Sequence, residues 1–354
     1  MRYLSSLLLM FAVIACGGGG GSDDDTSPPT SNDRWLVDTD FVLDGGPGKD
    51  GIPALDNPSY VTADQANFIQ DNDLVIGINI NNEMRAYPHA ILNWHEVANV
   101  QTGNDYHVLS YCPLTGSAGL WEVPDSFSNK TFGVSGLLFN SNLIMYDRET
   151  DSNWPQMFAQ SANGSLIGTR PVILPVIETT WGTWRSMYPD TTVLSDNTGF
   201  SRNYNSYPYG SYLTDSNLLF AVSETDSRLH PKTRVLGVAD SNTNKVYEIA
   251  NFATNVQVIN EDTNSSPYVV IGSSSLNFAI AFDSTTTDST VLTFTAIDSA
   301  LPIVMQDNEG NQWDIFGTAV SGPRMGEQLT MRSDFIAFWF SWVPLYPNPD
   351  IHSF

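Results

Sequence analysis

Short runs of alternating apolar and polar residues, each closed by a cluster of turn formers, set the tightest limit on the fold. Val75-Ile76-Gly77-Ile78-Asn79-Ile80 alternates, and Asn81-Asn82-Glu83-Met84 turns it back into Arg85-Ala86-Tyr87, the pattern of a hairpin. Residues 106–112 repeat the period of two, with Tyr106, Val108, Ser110 and Cys112 on one side, before 113–116 turn the chain into 118–123. Residues 132–138 and 143–147 read as another strand pair around Asn140-Ser141-Asn142, and 35–43 alternates enough for a strand. From Val235 onward Thr, Val, Ile and Phe alternate with turn clusters such as Asp240-Ser241-Asn242-Thr243-Asn244, which reads as antiparallel sheet and a hairpin turn. The fold class is therefore α+β and β-rich, with mainly antiparallel sheets and a few short helices.

Two helices are expected. Pro88 suits a first helical position, and Ile91, Leu92, His95 and Ala98 then share one face. Thr180 caps a turn or two through Tyr188, stopped by Pro189. No internal repeat is visible at a period of 20–50 residues.

The N-terminus reads as an address. Arg2 precedes a mostly apolar run, residues 4–14, that ends in Val13-Ile14-Ala15-Cys16, which resembles a bacterial lipoprotein signal. That resemblance implies cleavage after Ala15, lipid on Cys16 and anchoring to a membrane without a spanning helix. Gly17 to Asn32, with five consecutive glycines, a run of aspartates and two prolines, forms a flexible tether reaching roughly 20–25 Å. The expected organisation is a signal at 1–15, a tether at 16–33 and one β-rich domain at 34–354, whose length also allows two lobes split near residue 250. Gly17, rather than aspartate, follows Cys16, which by the usual sorting pattern favours the outer membrane, on its periplasmic or surface side.

A net charge of −24, from 39 acidic against 15 basic residues, repels phosphate backbones and excludes nucleic acid as a partner. With Cys16 committed to lipid, Cys112 is the one thiol left, so no disulfide framework stabilises the fold.

Several blocks in order resemble the bacterial family known only as domain of unknown function 3179. They include Asp50-Gly51-Ile52-Pro53-Ala54-Leu55, Asn93-Trp94-His95-Glu96, Tyr111-Cys112-Pro113-Leu114-Thr115-Gly116, Phe132-Gly133-Val134-Ser135-Gly136-Leu137, Met145-Tyr146-Asp147-Arg148, Thr180-Trp181-Gly182 and Phe338-Trp339-Phe340-Ser341-Trp342. The resemblance implies an exported or anchored protein with one such domain, and no reaction. Some members carry a second cysteine three residues after the first; here that position is Thr115, so any role of the sulfur is carried by one thiol.

The candidate site centres on Cys112 at a strand end, facing the hydroxyls of Thr115 and Ser117. His95 is the natural base or co-ligand, with Glu96 or Asp147 to orient it; Asn140, Asn142 and Arg148 supply further polar groups. A buried, packing cysteine and a core histidine are the competing readings. Copper held by Cys112, His95 and Met145 or Met157 suits soft-ligand chemistry, but no ligand spacing supports it, so no metal or cofactor is nominated. Trp94, Trp121, Trp154, Trp181, Trp184, Trp313, Trp339 and Trp342 are more often core than pocket. Two functions follow: a lipoprotein binding a small ligand or metal near Cys112 and His95, or an enzyme using Cys112 as nucleophile or redox centre with His95 as base.

Overall fold

The structure, a computed structural model, describes residues 34–354 apart from 242, 263–265 and 333. The expected signal, Cys16 and the tether lie outside the described residues. No helix among the described residues is long and apolar enough to cross a membrane.

Among the described residues the architecture is β-rich α+β, built from short, mostly antiparallel sheets and three α-helices of seven residues or fewer. The hairpin Leu74–Ile80 with Glu83–Pro88 forms where alternation placed it. It is buried on both faces: Ile76, Ile78 and Ile80 enter one apolar cluster and Val75 another. Ile177–Thr180 lies antiparallel against its first strand and Thr192–Leu194 parallel against its second. Gly77 is required by packing, since a Cβ there would meet the Trp184 ring at 2.0 Å. Trp184 in turn sits on the helix Trp181–Met187, which starts where Thr180 Oγ1 accepts from the Thr183 N–H at 3.3 Å.

A second sheet is the meander Val97–Thr102, Asp105–Cys112 and Ser117–Glu122. A third holds the hairpin Phe132–Phe139 with Asn142–Asp147, turned by Asn140 and Ser141, both at positive φ, with Val42–Asp44 and Asn153–Pro155 at its edges. The long N-terminal strand expected over 35–43 is a 3₁₀ turn, Thr39–Phe41, followed by that short edge strand.

The helix expected from Pro88 also differs. It is one turn, His89–Leu92, with Pro88 as its cap; His95 lies beyond it and Ala98 is already in a strand. Glu96 takes φ of 57°, which ends the turn, and Val97 pairs with Ser110. Cross-strand burial of Val97 and Val100 outweighs a helical spacing that only four positions, three of them apolar, supported.

From residue 234 the same order recurs. A hairpin, Arg234–Ala239 with Asn244–Glu248, is flanked by Asp334–Phe338 antiparallel and Asp350–Ile351 parallel. A meander follows in Gln257–Glu261, Tyr268–Ser273 and Phe278–Asp283, then a sheet with Ile303–Asp307 and Gln312–Asp314. Gly237 again lies beneath a tryptophan, Trp342, whose ring a Cβ would meet at 2.3 Å. Trp339–Trp342 is a helical turn. The segment 196–233 joins the two series without a strand or helix. The largest apolar cluster combines both series, with Val75 and Trp184 beside Ile271, Trp313 and Phe316.

Candidate functional site

The second and third sheets leave an apolar cavity of about 520 Å³ beneath the joining segment. Val134, Leu138 and Leu143 of the third sheet and Leu114 of the turn after Cys112 form walls, and Tyr209, Leu219 and Phe220 of the joining segment help close it. That is within the usual size of a small-molecule pocket.

One carboxyl belongs to its lining, Glu96. The residue is 3 % exposed, and its main chain is fixed by the Tyr111 N–H donating to the Glu96 carbonyl at 2.7 Å. A bulky side chain at φ of 57° carries a conformational cost that an ordinary turn residue would avoid. Burial pushes the Glu96 carboxyl up to about 8, against a small opposing effect from the Tyr209 hydroxyl, which donates to Oε1 at 3.4 Å. At neutral pH Glu96 is therefore a hydrogen-bond donor set among hydrocarbon. Arg202, whose guanidinium lies over the Trp94 ring, is the lining's one cation.

Cys112 sits behind this wall. It is 1 % exposed and shares an apolar cluster with Leu114, Val134, Leu138 and Leu143. The Leu143 N–H donates to Sγ at 3.4 Å and the thiol points to the Ser141 carbonyl at 3.8 Å. Burial first, then the charge of Glu96, pushes the thiol up to about 11. Such a sulfur is neither reachable nor ionised at neutral pH, which opposes its use as a nucleophile.

His95 faces elsewhere. Nδ1 donates to the Pro53 carbonyl at 2.8 Å, which leaves Nε2 to accept from the Tyr204 hydroxyl at 2.6 Å. Burial lowers its pKa despite the Pro53 bond, so the ring is neutral and fully occupied. The partnership of His95 with Cys112 expected from sequence is not formed, because both ring nitrogens are spent on other partners. For the same reason the soft-metal arrangement does not assemble, and no group of three or more His, Cys, Asp or Glu among the described residues is placed to hold a metal ion.

The remaining polar candidates hold the sheets together. Thr115 and Ser117 share a hydroxyl contact at 2.9 Å; Asn142 donates to Thr115 Oγ1 at 3.0 Å and to Gln156 Oε1 at 2.9 Å, and Gln156 returns to Ser110 at 3.1 Å. This buried network stitches the second sheet to the third. Asn140 accepts from the Ser223 N–H at 2.7 Å and so pins the joining segment. Asp147 is fully buried, accepting from the Thr150 N–H at 2.6 Å and Trp154 Nε1 at 2.8 Å. Arg148 bridges Asp50 at 3.2 Å and Asp56 at 3.0 Å. None of these side chains lines the Glu96 cavity.

Seven of the named tryptophans, Trp121, Trp154, Trp181, Trp184, Trp313, Trp339 and Trp342, are core, whereas Trp94 lines the cavity. Sequence reasoning placed Glu96 only as an accessory to His95 and singled out no residue of 196–233. A glutamate after Asn-Trp-His carries no local sign of burial, and the joining segment has no periodicity to read.

No curated protein matches this chain, and no solved structure does. The profile of a family described as protein of unknown function, DUF3179, matches residues 49–349. That span covers most of both series of sheets, most of the cavity lining and all of the joining segment, so the chain belongs to the DUF3179 family.

Proposed function

We propose that the protein binds a small, mostly apolar molecule in the Glu96 cavity, with a carbonyl or similar acceptor directed at the protonated Glu96 carboxyl. The observation that carries this reading is a buried carboxyl, raised to about 8 by burial, in the wall of an apolar cavity of about 520 Å³. Perturbed titratable groups in such hollows mark binding and active sites more often than packing defects. The arrangement favours binding over thiol catalysis, since the sulfur lies behind the wall.

The test is displacement of the fluorescent apolar dye N-phenyl-1-naphthylamine by 2-decanone. Ketone affinity should be constant below about pH 8 and fall about tenfold per unit above it, as Glu96 loses the donated proton. Glu96→Gln should flatten the profile, and Leu138→Trp should abolish competition at this site. A wild-type affinity that ignores pH would sink the proposal.

We further propose, from residues 1–32, that the chain is exported and held to the bacterial envelope by lipid on Cys16, with the outer membrane favoured. Cells fed labelled palmitate should incorporate it into the wild-type chain and not into Cys16→Ala. Equal labelling of both chains would refute anchoring at that residue.

A further inference from the structure

The recurrence of strand order extends to individual residues. Segment 164–189 matches 322–347 without a gap, bringing Gly164 onto Gly322, Gly168 onto Gly326, Trp181 and Trp184 onto Trp339 and Trp342, and Tyr188-Pro189 onto Tyr346-Pro347. Hydrogen bonds follow: Gly168 N donates to Ser161 O and Gly326 N to Ala319 O, both at 2.8 Å. Trp154 Nε1 donates to Asp147 at 2.8 Å, and Trp313 Nε1 to Asp307 at 2.9 Å. The turn 113–116 matches 274–277, with Gly116 at φ of 60° and Asn277 at 55°, so that Cys112 corresponds to Ser273 and Glu96 to Gln257.

The two series also touch reciprocally. Ser117–Glu122 of the first packs on Asp334–Phe338 of the second, and Phe278–Asp283 of the second packs on Ile177–Thr180 of the first. Phe338 N donates to Thr115 O at 2.7 Å, and Thr179 Oγ1 donates to Leu276 O at 2.5 Å. Equivalent patches meeting each other in this way define an isologous, two-fold contact.

A hollow of about 600 Å³ lies on that contact, and equivalent residues line it in pairs: Ala118 and Ala279, Ile173 and Met331, Arg170 and Gln328. Its wall is mostly apolar, with Trp121, Leu236, Ile280, Phe316 and Ile336 among its residues.

We infer that the chain is two copies of one unit facing across an approximate two-fold axis, and that the axial hollow between them is a second ligand site, for a mostly apolar molecule. Of the charged residues in its wall, Glu178 is paired with Arg234, and Arg332 with Asp240 and Asp283. The site is independent of Glu96.

The experiment measures how many N-phenyl-1-naphthylamine molecules the full chain binds. The wild type should bind two, Ala118→Trp should retain only the one at Glu96, and Leu138→Trp only the axial one; the retained dye shows that each variant is folded. If Ala118→Trp loses both, Ala279→Leu on the opposite wall is measured instead and carries the same expectation. A single bound dye in the wild type that is unaffected by filling the axial hollow, or two dye molecules that both remain in Ala118→Trp and Ala279→Leu, would overturn the assignment.

Discussion

Asp147→Ala should cost about 3–5 kcal/mol of folding stability, and Asp307→Ala should cost about as much. Each carboxylate is the buried acceptor for a tryptophan Nε1 and for main-chain N–H groups of the following turn, from Thr150 in one case and from Glu309 and Asn311 in the other. Truncation strands those donors in a space that water does not reach, and each then carries its full desolvation cost. Asp147→Asn should recover part of the loss, because an amide oxygen still accepts. Urea unfolding of the variants measures this directly. The comparison also separates two roles for Asp147: a residue serving catalysis or ligand binding alone would leave stability nearly unchanged and would not be mirrored by Asp307.

The second large effect is a pH dependence seated in one side chain. The Glu96 carboxyl stands at about 8 in the folded protein and near 4.5 in the unfolded chain. Between those values the unfolded chain has released a proton that the folded protein keeps. Stability attributable to Glu96 is therefore intact at low pH and falls as pH rises through that window, by roughly 1.4 kcal/mol per unit at most. Glu96→Gln removes this slope, so the variant should be more stable than wild type by about 2–4 kcal/mol at pH 8 and closely matched at pH 4. Thermal or urea melts of both proteins across that range make the difference visible despite the many other carboxylates. Parallel stability curves would show that Glu96 is ionised in the folded state, and would remove the protonated donor on which the binding proposal relies.

Much of the local structure was legible because its signals are local. The hairpin at 74–88 and the strands at 105–112 and 132–147 follow from alternation and turn residues, and Thr180 marks its helix with its own cap. The exception at 88–98 arose where a helical spacing and a strand pattern overlapped. There, pairing with residues distant in sequence decided between them.

The site was less legible because its chemistry is set by surroundings. Cys112 was identified by scarcity, and scarcity says nothing of exposure; burial among the surrounding leucines makes it inert. His95 and Cys112 looked like partners because both carry reactive groups, yet Pro53 and Tyr204 occupy the imidazole. Glu96 gained its character from a segment more than one hundred residues downstream, which supplies Tyr209 and closes the cavity.

By itself, then, the sequence determined the β-rich class, the turns and the family, since periodicity and backbone preferences act between near neighbours. Only the tertiary structure decided which carboxyl lies in hydrocarbon, which histidine is occupied and where the two series of sheets meet. Burial and electrostatic environment are sums over residues that the chain brings together only by folding.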